Sequence, residues 1–167
     1  TRYYFRVTAV NKQGFEGNAV AINITPAFSG PIWFVSKQGS DTNEGSEGSP
    51  FATITHAVTK ATDNDTIFVK EGTYIGEKIK IESDFPNFTI MSVGGASKTV
   101  LDANFSFNST IMEFSNFDKS GDGIDSTFKV IGFTFTNSTG SALKIMNSDD
   151  NSGNILKMQP KFINCVF

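Results

Sequence analysis

Cysteine occurs once, at Cys165, histidine once, at His56, and arginine only as Arg2 and Arg6. A lone cysteine excludes an intramolecular disulfide and any cysteine-based metal site. Set among Phe162, Ile163, Val166 and Phe167, it reads as a small buried hydrophobe. A lone histidine with no serine or cysteine motif around it gives no basis for a nucleophile–base triad. Charged residues are only 19% of the 167 positions and the net charge is -3. With a pI of about 5.1 and no Lys/Arg cluster longer than two residues, the electrostatic footprint of a nucleic-acid binder is missing. No apolar stretch approaches the roughly 18 residues that a membrane-spanning helix needs. Leucine and alanine are scarce, which excludes a helical bundle.

Phenylalanine is abundant, at 17 positions, and so are Gly, Asn, Ser and Thr. Phe and Thr favour strands; Gly, Asn and Ser favour turns. Hydrophobic residues at 38% with so small a net charge build a core and exclude disorder. The chain opens on Thr1 and stops at Phe167 inside an apolar run. It is therefore expected to be a piece of a longer polypeptide, a monomer in its full-length form.

Residues 1–25 read as a hairpin. Tyr3, Phe5, Val7 and Ala9 alternate with Arg2, Tyr4, Arg6 and Thr8, the period of a half-buried strand. Asn11-Lys12-Gln13-Gly14 is a turn, and Ala19–Ile24 a second strand. The run Thr1-Arg2-Tyr3-Tyr4-Phe5-Arg6-Val7-Thr8-Ala9-Val10-Asn11, with Gly14 and the closing strand, resembles the end of a fibronectin type III domain. The resemblance implies that residues 1–26 are the last two strands of such a β-sandwich, with Tyr3 as the corner tyrosine. Residues 27–31, ending in Gly30-Pro31, read as a linker.

A different texture begins at Ile32. A polar loop, Gly39 to Pro50, precedes the one helical pattern: Ile54, Ala57, Val58 and Ala61 share a face. Ser49 and Pro50 fit the N-cap and first helical position, predicting a helix over 50–62. After it come short strand-like runs, 66–69, 78–81, 88–93, 99–101, 110–114, 128–135, 142–146, 154–158 and 162–167. The segments 132–135 and 164–167 align about 32 residues apart, a spacing that suits one coil of a solenoid. Strands alone leave an antiparallel sandwich equally open. The run Trp33-Phe34-Val35-Ser36, the Gly39–Ser46 loop, Ser49-Pro50-Phe51-Ala52-Thr53-Ile54, Ala57-Val58 and Asp65-Thr66-Ile67-Phe68-Val69-Lys70-Glu71-Gly72-Thr73-Tyr74 resemble the start of a pectin-lyase-like right-handed parallel β-helix. The resemblance covers 32–167. It implies an all-β fold in which a solenoid with one N-terminal capping helix follows the two fibronectin-type strands.

Few residues present themselves for chemistry. Asp118, Ser120, Asp122 and Asp125 surround glycines with the spacing of the first part of a calcium loop, so Ca²⁺ is a candidate ligand. The twelfth position of that register is Lys129 instead of a bidentate Glu, and a plain acidic turn explains the run as well. Asp41, Asn43, Glu44 and Glu47 form a second acidic loop, a further candidate for a cation, to which the resemblance assigns a structural role near the cap. Asp102, Glu113 and Asp125 are scattered carboxylates whose separation sequence does not give. Lys78, Lys80, Lys129, Lys144 and Lys157 are the cations left for a lyase, which needs a base and a partner for the sugar carboxylate; outward lysines on strands usually serve solubility alone. Sequons at Asn23, Asn64, Asn87, Asn104, Asn108 and Asn137 hint at an extracellular setting.

The resemblances imply a secreted or cell-surface multidomain protein that acts on or binds polysaccharide or a cell-surface glycan, as a lyase of acidic glycans or as a non-catalytic adhesion solenoid. The two share a fold, and fold does not choose between them. The absence of arginine after Arg6, throughout the part that resembles a β-helix, argues for an active site outside this segment.

Overall fold

The structure is a computed structural model that describes residues 3–7, 11–15, 17, 20–24, 28, 30–82, 86–106, 108–116, 124, 126–147 and 158–167. Strand β1 (Tyr3–Val7) pairs antiparallel with β2 (Val20–Ile24), with Tyr3 opposite Ile24. Asn11 makes the expected turn: its side-chain oxygen accepts from the backbone N–H of Gln13 and Phe15 at 2.9 and 3.0 Å.

From Ile32 onward the strands form three sheets. The first holds β3 (Ile32–Val35), β4 (Thr66–Val69), β7 (Thr89–Ser92), β10 (Lys129–Ile131) and β13 (Lys161–Ile163), side by side in that order. The second holds β5 (Gly72–Ile75), β8 (Thr99–Asp102) and β11 (Thr134–Thr136); the third holds β6 (Ile79–Glu82), β9 (Met112–Asn116) and β12 (Leu143–Asn147). All their ladders are parallel. From β4 the chain visits the first, second and third sheet in turn, three times over, and returns to the first at β13. From Ile32 onward the fold is all-β and parallel, with one short helix among the described residues.

Alternation explains the packing. Each strand sends every second side chain inward, and parallel register stacks like on like. Trp33, Ile67, Ile90 and Val130 form one inner column. Tyr74, Leu101 and Phe135 form a second, and Ile81, Phe114 and Ile145 a third. All but Ile145 are buried. Thr66 lies opposite Thr89, Thr89 opposite Lys129 and Lys129 opposite Lys161, so successive rounds are 23, 40 and 32 residues long. The unequal lengths are why repeats look ragged in the sequence. The 32-residue offset read from 132–135 and 164–167 is the real register of the last round, in which Thr134 also bridges Val166.

Several boundaries differ from the sequence expectation. The expected strand 162–167 is Lys161–Ile163 followed by a single bridge at Val166, and Gly72–Ile75 is a strand outside the expected runs. The helix is shorter than 50–62: α1 spans Ile54–Val58, with Thr53, not Ser49, as N-cap. The Thr53 hydroxyl accepts the His56 N–H at 3.0 Å. Upstream, Phe51 is held extended along β3, donating to the Phe34 carbonyl at 2.9 Å, so Pro50 has no helix to start. The expected strand 128–135 is two strands, bent at Gly132, whose φ of 77° is left-handed. The bend turns the chain from the first sheet to the second. Most of the expected strand 154–158 lies outside the described residues.

The predicted apolar face of the helix is real. Ile54, Ala57 and Val58 are buried, and α1 packs on β3, β4 and β6 at the start of the stack.

Candidate functional site

Three carboxylates fasten the helix and the strands around it. Asp41 accepts from the backbone N–H of Ala52 and Thr53 at 2.9 and 3.0 Å and from the Thr53 hydroxyl at 2.8 Å. Glu77 accepts from the N–H of Ile54 and Thr55 at 3.0 and 3.1 Å and from the Thr55 hydroxyl at 2.6 Å. Asp65 accepts from the Trp33 indole and the Thr62 N–H, both at 2.8 Å, and from the Thr62 hydroxyl at 3.1 Å. Charge-assisted bonds of this kind are the strong ones, and they satisfy backbone donors that no strand could pair. The acidic loop at 41–47 is therefore structural: Asp41 is committed to the chain, and Asn43 donates to the Pro50 carbonyl at 2.8 Å. Neither Asp65 nor Glu77 stands out in the sequence. For Glu77 the signal is an acid placed shortly after the helix whose first N–H donors it accepts; Asp65 meets no helix-start donor and bonds Trp33 and Thr62 instead.

Tyr74 belongs to the same region. Its hydroxyl donates to the Lys70 carbonyl at 2.9 Å. Burial, and secondarily the charge of Glu77, push its pKa from 10.0 up to about 12.

The surface feature with chemistry of its own is a cleft of about 480 Å³ on the outer side of the third sheet. Its floor is set by alternation. Ile79, Ile81, Met112 and Phe114 point inward and are buried, so Lys80, Glu113 and Lys144 point outward. Parallel register places Lys80 opposite Glu113 and Glu113 opposite Lys144. Lys144 Nζ stands 3.8 Å from Glu113 Oε2, a solvent-facing pair worth at most about 1 kcal/mol. Lys78 adds a third cation at the rim. The walls are formed by Ser106, Asn108, Ser109 and Thr110 on one side and by Gly140 and Ser141 on the other. They are tied together: the Ser138 hydroxyl donates to the Ser109 carbonyl at 2.6 Å, and the Thr139 hydroxyl donates to the Ser106 carbonyl.

Three lysines against one glutamate make this cleft positive, although the whole chain carries -3. Phe105, one residue before the wall residue Ser106, does not line the cleft; it is 69% exposed and at a φ of 50°, where a bulky side chain is strained. A smaller depression, about 230 Å³, adjoins the cleft and shares Lys78 and Lys80 with it.

The remaining candidates scatter. Asp118, Ser120, Asp122 and Asp125 lie outside the described residues, as does Lys157. Asp102 holds a turn, accepting from the Asn104 N–H at 2.7 Å and from the Asn137 side chain at 2.9 Å. Lys129 is on the first sheet, away from the cleft residues. His56 is half-buried at the rim of the helix, its ring 4.7 Å from that of Phe51. Cys165 is half-buried, with Sγ 3.6 Å from the Val130 carbonyl. Among the described residues no group of three or more His, Cys, Asp or Glu is placed to hold a metal ion. Four of the sequon asparagines, Asn64, Asn104, Asn108 and Asn137, have φ between 51° and 67°. They are left-handed turn residues, which accounts for much of the asparagine content.

Fold and site together define a class: a parallel all-β protein with a positive cleft on the outer face of one sheet. More particularly, residues 37–93 match a family described as "Protein of unknown function (DUF1565)". That stretch contains Asp41, Asp65, Glu77 and the whole of α1, and it ends before Glu113 and Lys144. The chain is also similar to "Uncharacterized protein YwoF" of Bacillus subtilis (strain 168), 48% identical over 46 residues, covering 28% of this chain and 10% of that protein. The chain thus spans about a tenth of the length of that relative. No solved structure matches. Among the described residues, no helix is long and apolar enough to cross a membrane.

Proposed function

We propose that residues 32–167 are the first rounds of a right-handed parallel β-helix of the pectin-lyase-like kind, that residues 1–26 end a fibronectin type III domain, and that the chain belongs to a secreted or surface protein that binds acidic polysaccharide in the cleft over the third sheet. The observation that carries the binding reading is the concentration of Lys78, Lys80 and Lys144 in one cleft of an acidic chain. Exposed ammonium groups attract carboxylates, and the hydroxyls of Ser106, Thr110 and Ser141 suit a polyhydroxylated partner. Phe105, which directly precedes the wall residue Ser106 in the chain, is exposed and offers an apolar surface of the size of a sugar ring. The β-helix reading is supported by the cyclic order of the three parallel sheets and by the match of residues 37–93 to a family associated with β-helix proteins.

The test is a binding titration with acidic and neutral oligosaccharides at low and high salt. Acidic oligosaccharides are expected to bind at low salt and to lose affinity as salt rises. Lys80→Gln with Lys144→Gln is expected to weaken binding at least tenfold without altering the melting curve. Equal binding of neutral and acidic sugars, or no effect of the double substitution, sinks the reading. Absorbance near 235 nm, which detects unsaturated uronates, separates a lyase from a binding module in the same samples.

A further inference from the structure

The cleft floor does not present a uniform field. Its outward column reads Lys80, Glu113, Lys144 across three parallel strands in direct register. Neighbouring strands lie about 4.8 Å apart, so the two lysine backbones are separated by about 10 Å, with a carboxylate midway. Glu113 is held there: its side chain is only 21% exposed and pairs with Lys144. A polymer lying along this column meets attraction, repulsion and attraction in turn. Like-charge juxtaposition is one device by which an interface rejects a wrong partner.

We infer that the cleft selects a polyanion whose acidic groups sit on alternate units, about 10 Å apart, with a neutral unit over Glu113. The inference rests on the acidic-glycan reading and adds to it the spacing of the charges. A chain with an acid on every unit must set one carboxylate against Glu113. A chain with alternating acidic and neutral units places each carboxylate on a lysine and leaves a hydroxyl-bearing unit to accept or donate at Glu113. Glu113 is then the specificity residue, and Lys78 and Lys80 together hold one of the two anions.

The experiment compares two octasaccharides of one length on the whole chain at low salt: a hyaluronan oligomer, with a carboxylate on every second sugar, and an oligogalacturonate, with one on each. Simple charge attraction favours the second, which carries twice the charge. The expected result is the opposite, a preference for the alternating probe of about threefold or more. Glu113→Gln is expected to tighten the uniform probe and to erase or reverse the preference, at an unchanged melting curve. Preference of the wild-type chain for the uniform probe, or a ratio that Glu113→Gln does not move, overturns the spacing inference and leaves acidic-glycan binding standing. Failure of both probes to bind overturns that reading and the inference with it.

Discussion

Ile81 and Ile145 occupy one inner column of the third sheet, each in register with Phe114 between them. Ile81 is fully buried, whereas Ile145 is 45% exposed. The residue type, strand geometry and column are shared; the covering differs. Ile81 lies on the round against which α1 packs, and the helix is pinned there by Asp41 and Glu77. Ile145 lies on the last strand of its sheet, where no described element packs on it. The first sheet shows the same gradient, from Trp33 at 6% exposure to a half-buried Phe162 beside Phe167 at 65%. Burial in a stacked fold is therefore a property of the neighbours above and below, not of the strand itself. One end is closed by a helix and by polar bonds; at the other the buried Phe135 packs on a half-buried Phe162 and an exposed Phe167.

The comparison breaks most readily at the helix. Ile54 is fully buried between α1 and the first round. Ile54→Asp is expected to place an unpaired carboxylate there, costing more than about 4 kcal/mol and abolishing cooperative folding. Thermal and urea unfolding check it; a melting curve like that of the wild type removes the helix from its capping role. Next in size is the pair itself. Ile81→Ala is expected to cost about 3–4 kcal/mol and Ile145→Ala only about 1 kcal/mol, because a cavity forms only where the site is closed on both sides. Equal losses in urea titrations mean that something covers Ile145 and that the gradient is only apparent.

Polar fastening comes third. Asp65 is buried and accepts three hydrogen bonds, one from the Trp33 indole. Asp65→Ala leaves the indole and the Thr62 N–H without their acceptor and is expected to cost about 3 kcal/mol. Trp33 is the only tryptophan, so its fluorescence reports the same site directly. A red shift of the emission should accompany the lost stability; stability lost with the emission unmoved places the damage elsewhere.

Much of this was legible beforehand, for identifiable reasons. Period-two alternation located most of the strands, and the 32-residue offset between the last two rounds was visible because Gly132-Phe133-Thr134-Phe135 and Asn164-Cys165-Val166-Phe167 share a pattern. The helix face was right and its start wrong, because Pro50 looks like a first helical residue while Phe51 is bound into the β3 edge. The fastening carboxylates were illegible: Asp65 reaches Trp33 across 32 residues, and Glu77 reaches Ile54 across 23. The cleft was half legible. Lys78, Lys80, Lys144 and Glu113 all stand out in the sequence, but only as outward side chains with no stated relation between strands. Only the register of β6, β9 and β12, set by rounds of unequal length, puts Lys80, Glu113 and Lys144 in one line.

The smallest effect sharpens the contrast from within the covered end. Tyr74 and Phe135 share a column through Leu101, and both are buried. Only Tyr74 carries a proton, and its pKa is raised from 10.0 to about 12 by burial and by the nearby Glu77 charge. The folded state thus holds the neutral phenol more firmly than the unfolded chain does. The stability this gives is fully present below pH 10 and is lost as pH rises from about 10 through about 12. Tyr74→Phe removes both the titration and the bond to the Lys70 carbonyl. It is expected to cost about 1 kcal/mol at neutral pH and to flatten the loss of stability above pH 10. Urea titrations of both proteins across that range compare the slopes with the lysines held in common. Parallel slopes would mean that the Tyr74 hydroxyl already reaches solvent, and that the closed end is closed to apolar atoms only.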